Sequence, residues 1–94
     1  MRLDNKEVKA LKKAVENVDG SVYLFGSRVD DAKKGGDIDI LIFSQENAFR
    51  LSRKVSVRFF MECEEKIDVV VMNKLKLTRE QSAFLNVIKM EKFK

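Results

Sequence analysis

The sequence predicts an α/β (α+β) protein in which helices pack on a small mixed sheet of three to four strands. Two observations support this fold class. Short apolar runs at 21–25, 37–43 and 67–72 have the length of strands. The segments beside them repeat apolar residues every three or four positions, which is the helical period. This alternation predicts a layered domain with helices against the sheet.

The first helix is predicted over 4–18. Asp4 and Glu7 have the spacing of a capping box, and Gly20 is a typical C-terminal stop. The opposite face of the helix is rich in lysine, as solvated helix surfaces are. The apolar stripe consists of Val8, Leu11, Ala14, Val15 and Val18.

A strand and a Gly-Ser turn follow the first helix. The strand is predicted over 21–25 and ends at Gly26. Residues 27–34 are predicted to make one or two helical turns, which Gly35 and Gly36 then break.

Two further strands are predicted at 37–43 and 67–72. Beyond Asp39, the first of them is apolar on both faces, which is typical of a central strand covered from both sides. The second is apolar except for Asp68. These three strands are the only ones that the apolar pattern assigns individually.

A long helix is predicted over 48–64. Residues 55–59 also alternate like a strand, but the helical stripe is longer, and an irregular loop of this length would be unusual. On this register Phe49, Val57 and Phe60 lie away from the stripe and are predicted to be partly exposed; the alternative is a different register that buries them. The stripe consists of Ala48, Leu51, Val55, Phe59 and Cys63.

The last helix is predicted to begin with a capping box. Thr78 and Gln81 have the required spacing. With no repeats and no linker, 1–94 is expected to form one small domain. The apolar stripe of this helix is predicted to be Ala83, Phe84, Val87 and Ile88.

Composition excludes several kinds of site. The chain has no histidine, so Ser-His triads and histidine metal sites are excluded, and one cysteine excludes a Cys-only zinc site. Any metal chemistry must then use carboxylates, which favour Mg²⁺ or Mn²⁺. No apolar run could span a bilayer, and the single Cys63 cannot form an internal disulfide. We therefore expect a cytoplasmic protein.

Three aspartates interrupt the predicted strands. Asp37 and Asp39 point to the same side at the start of one strand, and Asp68 lies in another. Carboxylates are costly in a sheet, but divalent cations can compensate them, and two such ions can hold both oxygens of a phosphoryl transfer. The opposing interpretation is that one caps a turn and the others pair with basic side chains at the sheet edge.

The Gly-Ser turn is a candidate phosphate site. Gly26 allows a ligand to approach the backbone, and the amides from Ser27 onward begin a helical turn. Arg28 can pair with a phosphate oxygen. An ordinary turn is the alternative, and no Walker sequence occurs.

Together these residues form a recognisable motif. Gly26-Ser27, a spacer of nine residues, Asp37-x-Asp39 and then Asp68 on a later strand resemble the nucleotidyltransferase superfamily of DNA polymerase beta. The small size resembles its minimal branch, the MNT proteins. The resemblance is carried by the segment from the first predicted strand to the third, and it implies the nucleotidyltransferase fold.

The resemblance also implies a reaction. A hydroxyl would attack the α-phosphate of ATP in line, with Mg²⁺ (or Mn²⁺) carrying the triphosphate and pyrophosphate leaving. The aspartate of the third strand would help to activate the hydroxyl. The implied catalytic and metal-binding residues are Asp37, Asp39 and Asp68. The implied nucleotide- and phosphate-binding residues are Gly26, Ser27 and Arg28.

The resemblance further implies a protein partner. MNT proteins commonly pair with all-helical HEPN toxins, and studied members add AMP to a tyrosine of the toxin. Larger relatives carry a helical domain that this chain is expected to obtain from its partner. Phe49, Val57 and Phe60 are the candidate contacts, whether in a hetero- or a homo-oligomer.

Two other interpretations stay open at this point. A non-catalytic binding module would neutralise its partner by contact alone, although it would not need three strand acids. A nucleic-acid binder would fit the net charge of +4 and the pI of about 9.3, but this excess is small and no aromatic RNA-binding motif is present.

Overall fold

The computed structural model describes residues 1–30 and 36–94. The second part of the helical turns predicted over 27–34 lies outside the described residues. In chain order the elements are α1 (Asn5–Val15), β1 (Ser21–Phe25), a 3₁₀ turn (Gly26–Val29), β2 (Ile38–Phe43), α2 (Ala48–Cys63), β3 (Ile67–Met72), a second 3₁₀ turn (Lys74–Lys76), α3 (Arg79–Val87) and β4 (Met90–Lys92).

The four strands form one mixed sheet in the order β3-β2-β1-β4. β1 is antiparallel to β2 and to β4, whereas β2 and β3 are parallel. Parallel neighbours need a crossover connection, and α2 provides it. The predicted fold class, helices on a small mixed sheet, is confirmed.

The helices cover the two faces of the sheet separately. α1 and α2 pack on one face, where the core includes Leu11, Val55 and Phe59. α3 packs on the other face, and Phe84 meets Phe25 edge to face at 5.6 Å between ring centroids. β2 lies between the layers as a central strand, as predicted. Its fully buried residues are Ile38, Ile40, Leu41 and Ile42.

The helix termini largely follow the predicted capping signals. Both capping boxes are present, from Asp4 to Glu7 and from Thr78 to Gln81. α1 ends earlier than the predicted 4–18, because the chain turns after Val15. The Nζ atom of Lys94 donates to the Val15 and Val18 carbonyls at 2.7 Å each, which satisfies acceptors that the helix leaves free.

Near the C-terminal end, β4 was not predicted as an individual strand, and the predicted stripe of the last helix was wrong in part. The three strands assigned individually are joined by β4, which is short and carries Glu91 and Lys92, so no apolar pattern reveals it. In the last helix the predicted stripe is shifted: Val87 is 80% exposed and Ala83 is exposed, whereas Leu85 packs on the sheet.

The outer side of α2 carries exposed apolar side chains, as its predicted register requires, among basic ones such as that of Arg53. Phe49, Val57 and Phe60 are 73%, 49% and 47% exposed, and Met61 is also exposed. Within the described parts of the chain, no helix is both long and apolar enough to cross a membrane.

Candidate active site

Two aspartates are paired across neighbouring strands. Asp39 of β2 and Asp68 of β3 are register partners in the parallel ladder, and Phe25 of β1 is opposite Asp39 on its other side. Because side chains at matched positions of adjacent strands lie on one face of a sheet, both carboxylates project from the face that α3 covers further along. Asp37 immediately precedes β2. The fold therefore brings the three predicted acids to one region.

The carboxylates of this cluster affect one another. Burial raises the pKa of Asp39, and the negative charges of Asp68 and then Asp37 raise it further. Asp39 is half-buried, while Asp37 and Asp68 are exposed. A cation placed among them would remove this penalty, because an opposite charge favours the ionised carboxylate.

Gly26 lies against this cluster directly after β1. Its φ is +76°, a left-handed conformation, and a Cβ atom built on it would lie 2.5 Å from Oδ2 of Asp39. Only glycine fits such a position without moving the carboxylate. The glycine of the motif therefore lets the turn approach the acid directly.

Ser27 connects the turn to the start of β2. Its hydroxyl donates to the Asp37 carbonyl at 3.4 Å, and the backbone of Gly36 lies against the same hydroxyl, leaving no space for a side chain at that position. The turn and the entry of the acid-bearing strand are thus in direct contact, although 31–35 between them lie outside the described residues.

Arg28 is held by several hydrogen bonds beside this contact. Its guanidinium donates to Oε1 of Glu7 at 3.0 Å and also to the carbonyls of Gly36 and Arg2, each at 3.0 Å. The sequence pattern predicts Glu7 only as a capping residue and does not predict its bond to Arg28. A signal was available, because Glu7 precedes Leu11 by one helical turn and so lies on the buried stripe of α1.

The donor set suits a hard cation. Across 1–30 and 36–94, no group of three or more acidic or cysteine side chains is arranged to hold a metal ion by itself. Mg²⁺ is usually bound by one or two carboxylates together with waters and substrate phosphates, so a ready-made cage is not required. The paired carboxylates of Asp39 and Asp68 fit that mode by their chemistry and by their mutual repulsion.

A surface groove in two parts lies along the outer side of α2. One part, about 420 Å³, includes Val57, Phe60 and Asp68 among its lining residues. The next part, about 670 Å³, includes Phe49 and Val57 together with basic side chains of α2. Val57 lines both parts, and Asp68 on the edge strand β3 is the member of the acid cluster that lines the groove.

Comparison with known families agrees with this geometry. A family model described as a nucleotidyltransferase domain matches residues 5–92, which includes every helix and strand from α1 to β4. None of the curated proteins matches the chain. Because the family match extends over nearly the whole length and contains the Gly-Ser turn and the strand aspartates, the protein belongs to the nucleotidyltransferase domain family.

Proposed function

We propose that the protein transfers AMP from ATP to a hydroxyl of a partner protein in a Mg²⁺-dependent reaction. Family membership supports nucleotidyl transfer in general. One observation carries the proposal further: Asp39 and Asp68 are paired on adjacent strands, with Gly26 directly against the Asp39 carboxylate. Carboxylates and a glycine turn at one place suit a metal-bound triphosphate.

Three aspartates would hold the metal: Asp37, Asp39 and Asp68. Bound Mg²⁺ (Mn²⁺ is a possible substitute) supplies charge neutralisation for the attacking and leaving oxygens. Asp68 is more exposed than Asp39 and lies on the edge strand β3 beside the groove. This exposure supports a role in which Asp68 takes the proton of the acceptor hydroxyl. Positioning and electrostatic stabilisation are sufficient for this chemistry without histidine.

The phosphates would lie at the Gly-Ser turn. Gly26 presents backbone without a side chain, and Ser27 provides a hydroxyl beside it. The predicted phosphate contact of Arg28 stays a prediction, and its guanidinium is bonded to Glu7 and two carbonyls in the structure.

The acceptor we propose is a helical HEPN-type toxin, which would make this protein the antitoxin of a cytoplasmic pair. The exposed apolar side chains of Phe49, Val57 and Phe60 support a protein partner, because contiguous apolar surface on a small domain marks an interaction site. Asp68 lines one part of this groove, so we propose that a partner bound along α2 brings its hydroxyl around the edge of the sheet to the acids.

The test combines labelled ATP, Mg²⁺ and the partner with isosteric variants. We expect Asp39→Asn and Asp68→Asn to lose transfer by at least about 100-fold, the scale seen when a group that stabilises transition-state charge is removed. Asp19→Asn, an exposed aspartate before Gly20, is the matched control and should retain the parent rate. Transfer at the parent rate by Asp39→Asn would disprove the site assignment.

The apolar face of α2 also favours a second candidate, a module that neutralises its partner by contact alone. That module would protect cells from the toxin equally well as a double Asp37→Ala, Asp39→Ala variant. Loss of protection in that variant, with partner binding intact by pull-down, would instead support the enzyme.

A further inference from the structure

Glu7 is a charged residue on the buried side of α1. It is 4% exposed, and in the described parts of the chain no other charged side chain is buried to this degree. Its Oε1 accepts from Arg28 at 3.0 Å and from the Asp4 amide at 3.0 Å. Burial alone would raise the pKa of Glu7, but hydrogen bonds with the Arg28 side chain, the Asp4 amide and the Glu65 side chain, together with the charge of Arg28, outweigh it, so the pKa is lowered.

Arg28 connects the Gly-Ser turn to three other parts of the chain through its guanidinium and its backbone carbonyl. Its Nε donates to the Gly36 carbonyl, and one terminal nitrogen donates both to Glu7 and to the Arg2 carbonyl. The backbone carbonyl of Arg28 accepts from the Arg2 amide at 2.8 Å. The side chain of Arg2 returns to the same turn, donating to the carbonyls of Ser27 at 3.0 Å and Asp30 at 3.2 Å.

These bonds hold the Gly-Ser turn and the entry of β2 together. Ser27 lies on one side, and on the other Gly36 leads into Asp37 and then β2. A shift of Arg28 would release Gly36 and, with it, the strand entry that carries the acids. To reach a phosphate, Arg28 would have to break its bonds and leave Glu7 as a buried, unpaired charge, which is strongly unfavourable.

We propose that Glu7 and Arg28 form a buried brace that positions the Gly26–Ser27 turn against the entry of β2, and that Arg28 acts through this brace instead of contacting the nucleotide. Glu7 and Arg28 are then positioning residues. The effect on the reaction rests on the proposed nucleotidyl transfer, whereas the effect on the turn does not.

The variants are Arg28→Lys, which keeps the charge but cannot reproduce the planar fork, and Glu7→Gln, which keeps the shape. The matched control is Glu16→Gln, because Glu16 is also a glutamate near α1 paired to an arginine, Arg58, at 3.0 Å, but at the surface. Melting curves establish that each variant is folded.

The kinetic readout separates positioning from phosphate contact. We expect Arg28→Lys and Glu7→Gln each to lower kcat by about 10-fold or more, with KM for ATP within roughly threefold of the parent value. Because the two residues act as a unit, the double variant should have a kcat no lower than that of the poorer single variant. If Arg28 contacts phosphate, Lys instead raises KM with kcat preserved, and Glu7→Gln matches Glu16→Gln. That result would overturn the proposal.

The structural readout is amide hydrogen exchange on the protein alone. The Arg2 amide donates to Arg28 and the Asp30 amide donates to Ser27, so both report on the brace. We expect their exchange to be about 10-fold faster in Arg28→Lys, given the strength of hydrogen bonds to charged groups, and unchanged in Glu16→Gln. Unchanged exchange in Arg28→Lys refutes the brace. A parent protein that exchanges as expected but transfers no nucleotide refutes only the proposed function.

Discussion

Asp39 and Asp68 are direct partners across the parallel strands β2 and β3, so two carboxylates are placed side by side in a ladder whose other positions pair apolar residues. Like charges opposite one another destabilise a sheet. The pairing is thus unfavourable for folding in the absence of a cation, and a bound cation would relieve it. The consequence can be measured on stability, independently of activity.

Asp39→Asn is expected to stabilise the metal-free protein at neutral pH. Burial and the charges of Asp68 and Asp37 raise the pKa of Asp39, so the folded state is penalised whenever this carboxylate ionises. A raised folded-state pKa gives stability that is present at low pH and lost as pH rises through it. We expect a gain of roughly 1 kcal/mol, or about 4–8 °C in Tm for a domain of this size.

The measurement is thermal unfolding of parent and Asp39→Asn from pH 4 to 8 in EDTA. The gain should shrink toward the acid end, where the parent carboxyl becomes protonated in the folded state. The exposed Asp19→Asn is the control and should show no such pH-dependent gain. A destabilised Asp39→Asn at neutral pH would contradict the electrostatic origin of the effect.

Mg²⁺ is expected to stabilise the parent but not Asp39→Asn. A ligand that binds only the folded state adds RT ln(1 + [L]/Kd), which is about 2.7 kcal/mol at 100 times Kd. Tm would be measured against MgCl₂ with a non-hydrolysable ATP analogue, with NaCl at equal ionic strength as control. Equal stabilisation of parent and variant by Mg²⁺ would place the cation elsewhere.

Gly26→Ala should destabilise the fold by about 1–3 kcal/mol, the usual cost of a left-handed non-glycine residue. The added methyl group would also meet Oδ2 of Asp39. The two costs can be separated, because in an Asp39→Ala background only the backbone strain remains. Chemical denaturation of both single variants and the double variant gives the coupling. Strict additivity would show that the turn and the acid are not in contact.

Much of the architecture could be predicted because it depends on apolar periodicity. β2 is apolar on both faces and is central, and the predicted stripe of α2 is buried from Leu51 to Cys63, although Ala48 at its start is exposed. β4 could not be predicted in this way, because its three residues are held by backbone pairing with β1 and not by a buried face. In α3 the sheet accepts Leu85 instead of Val87, a choice that depends on where the helix meets Phe25.

The site was predictable only in part, for a similar reason. Asp37, Asp39 and Asp68 stand out because acids are rare in apolar strands. The role of Arg28 depends instead on Glu7 and Gly36, which approach it only in the folded chain. The position of Arg28 after the Gly-Ser pair predicts a phosphate contact. A local motif cannot predict the bond of Arg28 to Glu7, which lies 21 positions away in the sequence.

Two adjacent phenylalanines of α2 allow the core side and the outer side of this helix to be compared. Phe59 is fully buried and Phe60 is 47% exposed. We expect Phe59→Ala to cost about 3–5 kcal/mol and Phe60→Ala, which removes a half-buried ring, to cost no more than about 1.5 kcal/mol, measured by urea denaturation. Phe60→Ala should nevertheless weaken binding of the partner protein, because Phe60 lines the groove that reaches Asp68. If Phe60→Ala is instead as destabilising as Phe59→Ala, the side chain is part of the core and α2 has a different register. If it binds the partner as the parent does, the partner does not use this groove.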